Sequence, residues 1–174
     1  RVDLSRVENV GAPAGHFISY HVYPYYPRFV SEDPRYRAHA DESGPNAYRG
    51  LLLRLRDHYR DLPVLVAEYG VPSSWGRAHP SYSGMHHGGP TERGQGAALA
   101  RMTPDLRGTR YARGLAVKWQ DGWWKPTWIT NQRTFPASRY ALWHDLSTPQ
   151  QSYGLLAFDP PPPAWEVLVD DPDG

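Results

Sequence analysis

The hydrophobic and polar residues divide the first two thirds of the chain into short apolar runs and longer amphipathic segments. Residues 17–21, 65–68 and 114–119 are apolar runs with Pro or Gly close by, which is typical of buried strands. Residues 46–60 and 91–106 instead repeat apolar residues at the spacing of a helix face. The order strand, helix, strand, helix, strand predicts an α/β fold of parallel β/α units with right-handed crossovers.

Each predicted helix has one face that we expect to be buried. Pro45 and Asn46 are suitable residues for the start of the first helix, because proline fits the first turn and Asn caps free N–H groups. The expected apolar faces consist of Leu51, Leu52, Leu55 and Tyr59 in the first helix and Ala98, Leu99, Met102 and Leu106 in the second.

The segments outside these elements are predicted to be irregular. Residues 28–45 are polar, and residues 71–90 form a long loop rich in Gly, His and Ser, a length that is typical of functional segments. The C-terminal part is an aromatic-rich loop with a later element near 153–158. Residues 160–174 begin with four prolines, which stiffen an extended chain. We therefore interpret 160–174 as an exit segment or linker after a domain formed by 1–159.

Composition tells us more about the partners that the protein can have than about the chemistry that it performs. The chain has 174 residues, with 19 Lys and Arg against 18 Asp and Glu, so its charge gives no reason to expect a nucleic-acid partner. It has no cysteine, which excludes disulfides and thiolate metal sites, and no apolar run near the roughly 20 residues that span a bilayer. The 7 Trp and 12 Tyr residues fit either an aromatic core or a cleft that stacks on sugar rings.

The predicted strands lead to side chains with useful chemistry. His21 and Tyr23 follow the first strand and are two residues apart, so they face the same side of an extended segment. Glu68 ends the second strand and Trp119 ends the third. Because the carboxyl ends of parallel strands meet at one edge, we expect these residues to converge.

Each of these residues also has a structural interpretation. His21 could be a hydrogen-bonded core residue, Glu68 a salt-bridged structural acid, and Trp119 a packing residue. Burying a lone carboxylate costs several kcal/mol unless it is paired or performs chemistry. Their occurrence together, in this order, favours a functional site.

Three motifs at these strand ends are similar to those of a known enzyme group. Residues 21–23 (His-Val-Tyr), 66–70 (Val-Ala-Glu-Tyr-Gly) and 117–119 (Val-Lys-Trp) resemble strands six, seven and eight of the cellulase- and mannanase-like retaining glycoside hydrolases. The resemblance extends over about residues 16–130. It implies that residues 1–159 are the C-terminal part of a TIM (β/α)8 barrel.

The resemblance also implies a role for each residue. Glu68 would be the nucleophile that forms a glycosyl-enzyme intermediate, and Tyr23 would hydrogen-bond Glu68. His21 would orient a sugar hydroxyl or the catalytic acid, and Trp119 would stack under the sugar ring. No cofactor and no metal is implied. The further residues expected to contact substrate are Trp75, Gln120, Trp123 and Trp124.

One part of the family pattern is missing from this chain. A retaining mechanism needs a second carboxyl group about 5–5.5 Å from the nucleophile. In this family that acid/base residue lies in an Asn-Glu pair, and the chain contains none. We therefore expect the N-terminal half of the barrel, in the same longer chain, to supply it, and expect this chain alone to be inactive. The family also favours an extracellular or cell-envelope location.

Two loops permit other interpretations. His79, His86 and His87 could suggest a metal site, but adjacent histidines on an extended segment point in opposite directions and no acidic ligand is suitably spaced. We interpret residues 86–90 of this histidine loop as a mobile segment over the cleft or as plain surface. Residues 119–125 are interpreted as a substrate-contacting loop rather than structural packing.

Two functions compete with that of a hydrolase. The first is a non-catalytic carbohydrate-binding module, in which the aromatic side chains stack on glycans and Glu68 is structural. The second is a degenerate barrel retained as a scaffold.

Overall fold

Three parallel strands and the helices between them form the framework of the structure. The computed structural model describes residues 10–74, 77, 79–108, 112–122 and 149–156, and these residues have a mixed α/β fold, as the sequence predicts. The elements in chain order are β1 (Ile18–His21), α1 (Phe29–Glu32), α2 (Pro34–Arg37), β2 (Ala40–Asp41), β3 (Gly44–Pro45), α3 (Ala47–His58), β4 (Val64–Tyr69), α4 (Glu92–Gly108), β5 (Ala112–Ala116) and a 3₁₀ turn (Pro149–Gln151).

The main sheet has the order β1-β4-β5, and both pairs of neighbouring strands are parallel. The predicted first two strands agree with β1 and β4. The third was predicted over 114–119, whereas β5 begins two residues earlier and ends at Ala116. Residues 117–119 therefore follow the strand, since the backbone turns at Lys118, which has a φ of 62°.

Irregular register places the strand ends opposite one another. Ser19 and Tyr20 pair with Leu65 and Val66, but the next pair is His21 with Glu68. One extra residue in β4 is therefore accommodated between these pairs, as in a β-bulge. Without this shift a regular alternation would place Glu68 on the face that Val66 buries.

The hydrophobic core is formed by the strands and the two long helices. Asn46 caps α3, as predicted, by accepting a hydrogen bond from the Arg49 N–H at 3.0 Å. The apolar face predicted for α4 is confirmed, because Leu99, Met102 and Leu106 are all buried. In α3, Leu51 and Leu55 are only partly buried, and Tyr48 fills the core beside the predicted Leu52 and Tyr59.

Residues 28–45 are more ordered than their polar composition predicts. They contain α1 and α2 and the two-stranded antiparallel pair β2–β3. Asp33 caps α2 by accepting from the Arg35 N–H at 2.8 Å, and Pro34 occupies the first turn. Elements of two to four residues are too short to show a hydrophobic period. Only local signals such as the Asp33 cap and Pro34 could have predicted them from the sequence.

A polar network ties α3, α4 and the β2–β3 pair together. The Asn46 amide donates to Asp41 at 2.6 Å and to Asp105 at 2.7 Å. Arg101 donates to both oxygens of Asp41, from Nε at 2.7 Å and from an Nη at 2.8 Å. Burial raises the pKa of Asp105, although hydrogen bonding by Asn46 opposes this shift. The network consists of polar groups that satisfy one another.

Residues 149–156 pack against the segment that follows β5. Of the element predicted near 153–158, the described residues 153–156 contain a single bridge, between Leu156 and Gln120, and residues 157 and 158 lie outside the described part. A side chain at Gly154 would approach the Asp121 nitrogen to 2.2 Å, so only glycine permits this contact. Asp121 in turn accepts from the Gly154 N–H at 2.7 Å. In the described residues, no helix has the length and apolar character needed to cross a membrane.

Candidate functional site

Glu68, His21 and Tyr23 meet at the carboxyl ends of β1 and β4. The Tyr23 hydroxyl donates to Glu68 Oε2 at 2.7 Å, and His21 Nδ1 lies 3.1 Å from the same oxygen. The Val22 N–H also donates to the Glu68 carbonyl at 2.9 Å, which extends the β1–β4 pairing beyond the strand. The three predicted catalytic residues therefore come together around one carboxylate oxygen.

The carboxylate is supported on one side and open to solvent on the other. The Glu68 side chain is 38% exposed, and His21 is more exposed still. Burial raises the pKa of the Tyr23 hydroxyl, and its hydrogen bond to Glu68 adds to that effect. Tyr23 therefore remains protonated and is a constant hydrogen-bond donor. His21 forms an ion pair with Glu68 when its ring is protonated.

The position immediately after β4 requires a glycine. Gly70 has a φ of 153°, and a side chain there would meet Val117 at 3.1 Å. The Val117 N–H donates to the Tyr69 carbonyl at 2.9 Å, which holds the segment after β5 beside Glu68's strand. This glycine was part of the predicted motif, and the structure gives a steric reason for it.

A layer of tyrosines lies behind Tyr23. The Tyr23 and Tyr25 rings have centroids 5.5 Å apart, and the Tyr153 ring lies 6.0 Å from Tyr23. The hydroxyls of Tyr25 and Tyr153 share a hydrogen bond. The strand-end pattern in the sequence does not single out Tyr25 or Tyr153. The repeated tyrosines after β1 were a local signal for Tyr25, but nothing near Tyr153 indicates that it reaches this layer.

The histidine loop packs onto this layer, which differs from the interpretation as plain surface. The His87 ring stacks on Tyr25 with centroids 4.7 Å apart, and His79 stacks on His87 at 5.4 Å. Backbone hydrogen bonds join His79 and His87 in both directions. Burial, and secondarily the neighbouring His79, lowers the pKa of His87 to about 4. His87 is thus a neutral packing residue at neutral pH.

The residues predicted to bind substrate are only partly within the described structure. Trp119 lies just beyond β5 with 69% of its surface exposed, so it does not pack in the core of the described residues. Gln120 is exposed and forms the bridge to Leu156. Trp75, Trp123 and Trp124 lie outside the described residues.

The other described glutamates have positions of their own. Glu32 forms an ion pair with Arg28 at 2.5 Å, and Glu42 is exposed in the turn between β2 and β3. Glu92 begins α4, where burial raises its pKa. Within the part of the chain that the structure describes, no three His, Asp or Glu side chains are grouped so as to hold a metal ion.

This arrangement can support several kinds of chemistry. A half-exposed carboxylate at the end of a parallel strand, held by a tyrosine and a histidine, can act as a nucleophile, a base or a hydrogen-bond acceptor for a ligand. Comparison with protein-family models, with curated proteins and with solved structures gives no match to the chain.

Proposed function

We propose that this chain carries the nucleophile of a retaining glycoside hydrolase, with Glu68 as the attacking group. The observation that carries the proposal is the geometry of Glu68 Oε2, which lies 2.7 Å from the Tyr23 hydroxyl and 3.1 Å from His21 Nδ1. Tyr23 would keep the carboxylate aligned, and the ionised group would face the positive charge that develops at the anomeric carbon.

Exposure of the sheet supports the further proposal that β1, β4 and β5 are strands six to eight of a (β/α)8 barrel. Ser19, Leu65 and Arg113 are in register across the three strands, on the face opposite to buried Val64 and Val66. Ser19 and Arg113 are exposed, and Leu65 is only half-buried. Parallel sheets are normally covered on both faces, and in a barrel the inner face is filled by side chains of the other strands.

The catalytic acid is proposed to come from the N-terminal half of the same barrel. Each described glutamate other than Glu68 lies in a helix or a turn rather than at the end of a strand of the main sheet. The complete protein would bind a poly- or oligosaccharide, and transfer of the glycosyl group to water or to another sugar would complete the reaction. This chain alone would be inactive.

Covalent trapping tests the nucleophile directly. The complete protein is incubated with a panel of fluoro-sugars that carry good leaving groups, and the adduct is located by peptide mass spectrometry. These reagents need a nucleophile and little help from an acid. An adduct on Glu68 that is lost in Glu68→Gln is the expected result. An adduct on another carboxylate, or none with any sugar, would overturn the assignment.

The exposed Trp119 favours a second candidate, a non-catalytic carbohydrate-binding domain. A large aromatic face that is 69% exposed is suited to stacking on a sugar ring. In this case Trp119→Ala would weaken glycan binding and Glu68→Gln would leave it unchanged. Equal losses in both variants would count against a purely binding role.

A further inference from the structure

A pocket of about 440 Å³ lies beside the tyrosine layer, between the segment that follows β1 and the histidine loop. Its volume is in the range of small-molecule binding sites. Tyr25, at its inner wall, also shares the hydrogen bond with Tyr153 and packs against Tyr23. The pocket is therefore separated from the Glu68 carboxylate by two tyrosine rings. The principal lining residues are Tyr25, Arg28, Glu32, His79, Ser81 and Tyr82.

An arginine and a glutamate of opposite charge line the pocket. Arg28 Nε donates to Glu32 Oε1 at 2.5 Å, and the Arg28 side chain is almost fully exposed. The Ser81 hydroxyl donates a hydrogen bond to the Pro24 carbonyl at 3.0 Å. Because Glu32 compensates Arg28, these two lining residues offer directional donors and acceptors with no net charge of their own.

Exposed aromatic rings lie in and near the same pocket. Tyr82 lines it with 66% of its surface exposed, and the Arg37 guanidinium lies 4.4 Å from the centre of the Tyr82 ring. Tyr26 is also exposed, with its ring 5.5 Å from His79, and exposed Phe29 adjoins Arg28. A cluster of exposed aromatic rings on a protein surface marks a binding site more often than a single exposed apolar residue does.

We infer that this pocket binds one sugar ring of a neutral oligosaccharide. Tyr82 provides the stacking face, and the Arg28–Glu32 pair binds hydroxyl groups in the plane of the ring. Only the identity of the saccharide depends on the proposed function. The saccharide would extend from Glu68 past the tyrosine layer. The pocket then determines which neighbouring sugar the protein accepts.

Two substitutions test the pocket in the full chain, with one matched control for each. Tyr82→Ala removes the stacking face and Glu32→Gln removes the charged acceptor while keeping the side-chain shape. Phe17→Ala is the control for loss of an exposed ring, and Glu42→Gln is the control for loss of an exposed carboxylate. Binding is measured by calorimetric titration with cello-, manno-, xylo- and laminari-oligosaccharides, and with oligogalacturonates as the acidic class.

The expected result is that Tyr82→Ala and Glu32→Gln each weaken binding of a neutral oligosaccharide by roughly 10-fold, while the controls leave it unchanged. Unchanged binding in both variants would overturn the inference. Tighter binding of oligogalacturonates by Glu32→Gln than by the native chain, without loss of neutral sugars, would overturn the assignment to a neutral ligand.

Trapping at Glu68 separates this inference from the proposed function. An adduct on Glu68 together with unchanged affinity in Tyr82→Ala would overturn the pocket alone. Weakened binding in Tyr82→Ala without any adduct would overturn the glycoside hydrolase and leave the pocket as a carbohydrate-binding site.

Discussion

Two clusters of side chains, one built around Asp41 and Asp105 and the other around Glu68, differ in how their carboxylates are held. Asp105 is buried, with only 4% of its side chain exposed, and accepts from Asn46 at 2.7 Å. Asp41 is held by Asn46 and by two nitrogens of Arg101. Glu68, in contrast, is 38% exposed and is held through one oxygen by Tyr23 and His21.

The difference separates a structural acid from a candidate reactive one. A carboxylate whose hydrogen bonds are satisfied by amide and guanidinium groups connects elements of the fold, and breaking its network leaves an uncompensated charge. A carboxylate that is aligned on one side and open on the other can meet a ligand. We therefore expect substitutions in the first cluster to affect stability, and substitutions in the second to affect activity.

The largest expected effect is on turnover of the complete protein by Glu68→Gln. Removing the proposed nucleophile should lower turnover by roughly 10⁴-fold or more, because the proposed glycosyl-enzyme intermediate could no longer form. The free energy of unfolding should change little, since the side chain is partly solvated. Steady-state kinetics and urea unfolding measure the two quantities. Normal turnover together with a lowered free energy of unfolding in this variant would reverse the distinction between the clusters.

Arg101→Met should give the opposite result. The substitution leaves Asp41 without its guanidinium partner in a largely buried position, and should lower the free energy of unfolding by about 3 kcal/mol. Turnover per folded molecule should remain near that of the native protein. Urea denaturation is the measurement, with exposed Arg107→Met as a control. Loss of less than about 1 kcal/mol would show that the network is not a structural requirement.

Tyr23→Phe should reduce activity without removing it. The substitution deletes the 2.7 Å hydrogen bond to Glu68 and keeps the ring that packs on Tyr25. A hydrogen bond to a charged group contributes about 1.5–3 kcal/mol, so turnover should fall roughly 10-fold to 100-fold. Trapping rates with the fluoro-sugar reagents measure this effect at the nucleophile itself. A rate equal to that of the native protein would remove Tyr23 from the site.

The smallest expected effect is a pH dependence of stability that comes from His87. Its pKa falls from 6.5 to about 4 on folding, so the unfolded chain binds more protons between these values. This contribution to stability is complete above pH 6.5 and is lost as the pH falls toward 4. His87→Phe keeps a ring against Tyr25 but cannot titrate. The melting temperature should therefore fall by a few degrees more in the native chain than in this variant between pH 7 and pH 4.5, as measured by calorimetry. An equal fall in melting temperature in the two proteins would contradict the assignment of this pH dependence to His87.

Much of the fold follows from local pattern. The apolar runs of β1 and β4, the Asn46 cap and the buried face of α4 could be predicted because each is encoded within a few residues. The elements of residues 28–45 could not, because they are too short to have a period. The end of β5 was misplaced because Lys118 adopts a positive φ that its residue type does not indicate.

The candidate site shows the same division. The sequence alone determined that Glu68 follows an apolar run and that His21 and Tyr23 share one side of an extended segment. Only the tertiary structure brought their side chains to one oxygen, because a register shift between β1 and β4 turns Glu68 toward His21.

The sequence likewise contains the residues of the tyrosine layer and the histidine stack, but no local pattern indicates that they contact one another. Tyr153 joins Tyr25 across 128 positions of sequence, and His87 reaches the same ring from the loop after β4. Local propensity acts over a few residues, whereas these contacts depend on where the packed core places each loop. Sequence therefore determined β1, β4, the two long helices and the candidate side chains, and tertiary packing decided which of those side chains meet.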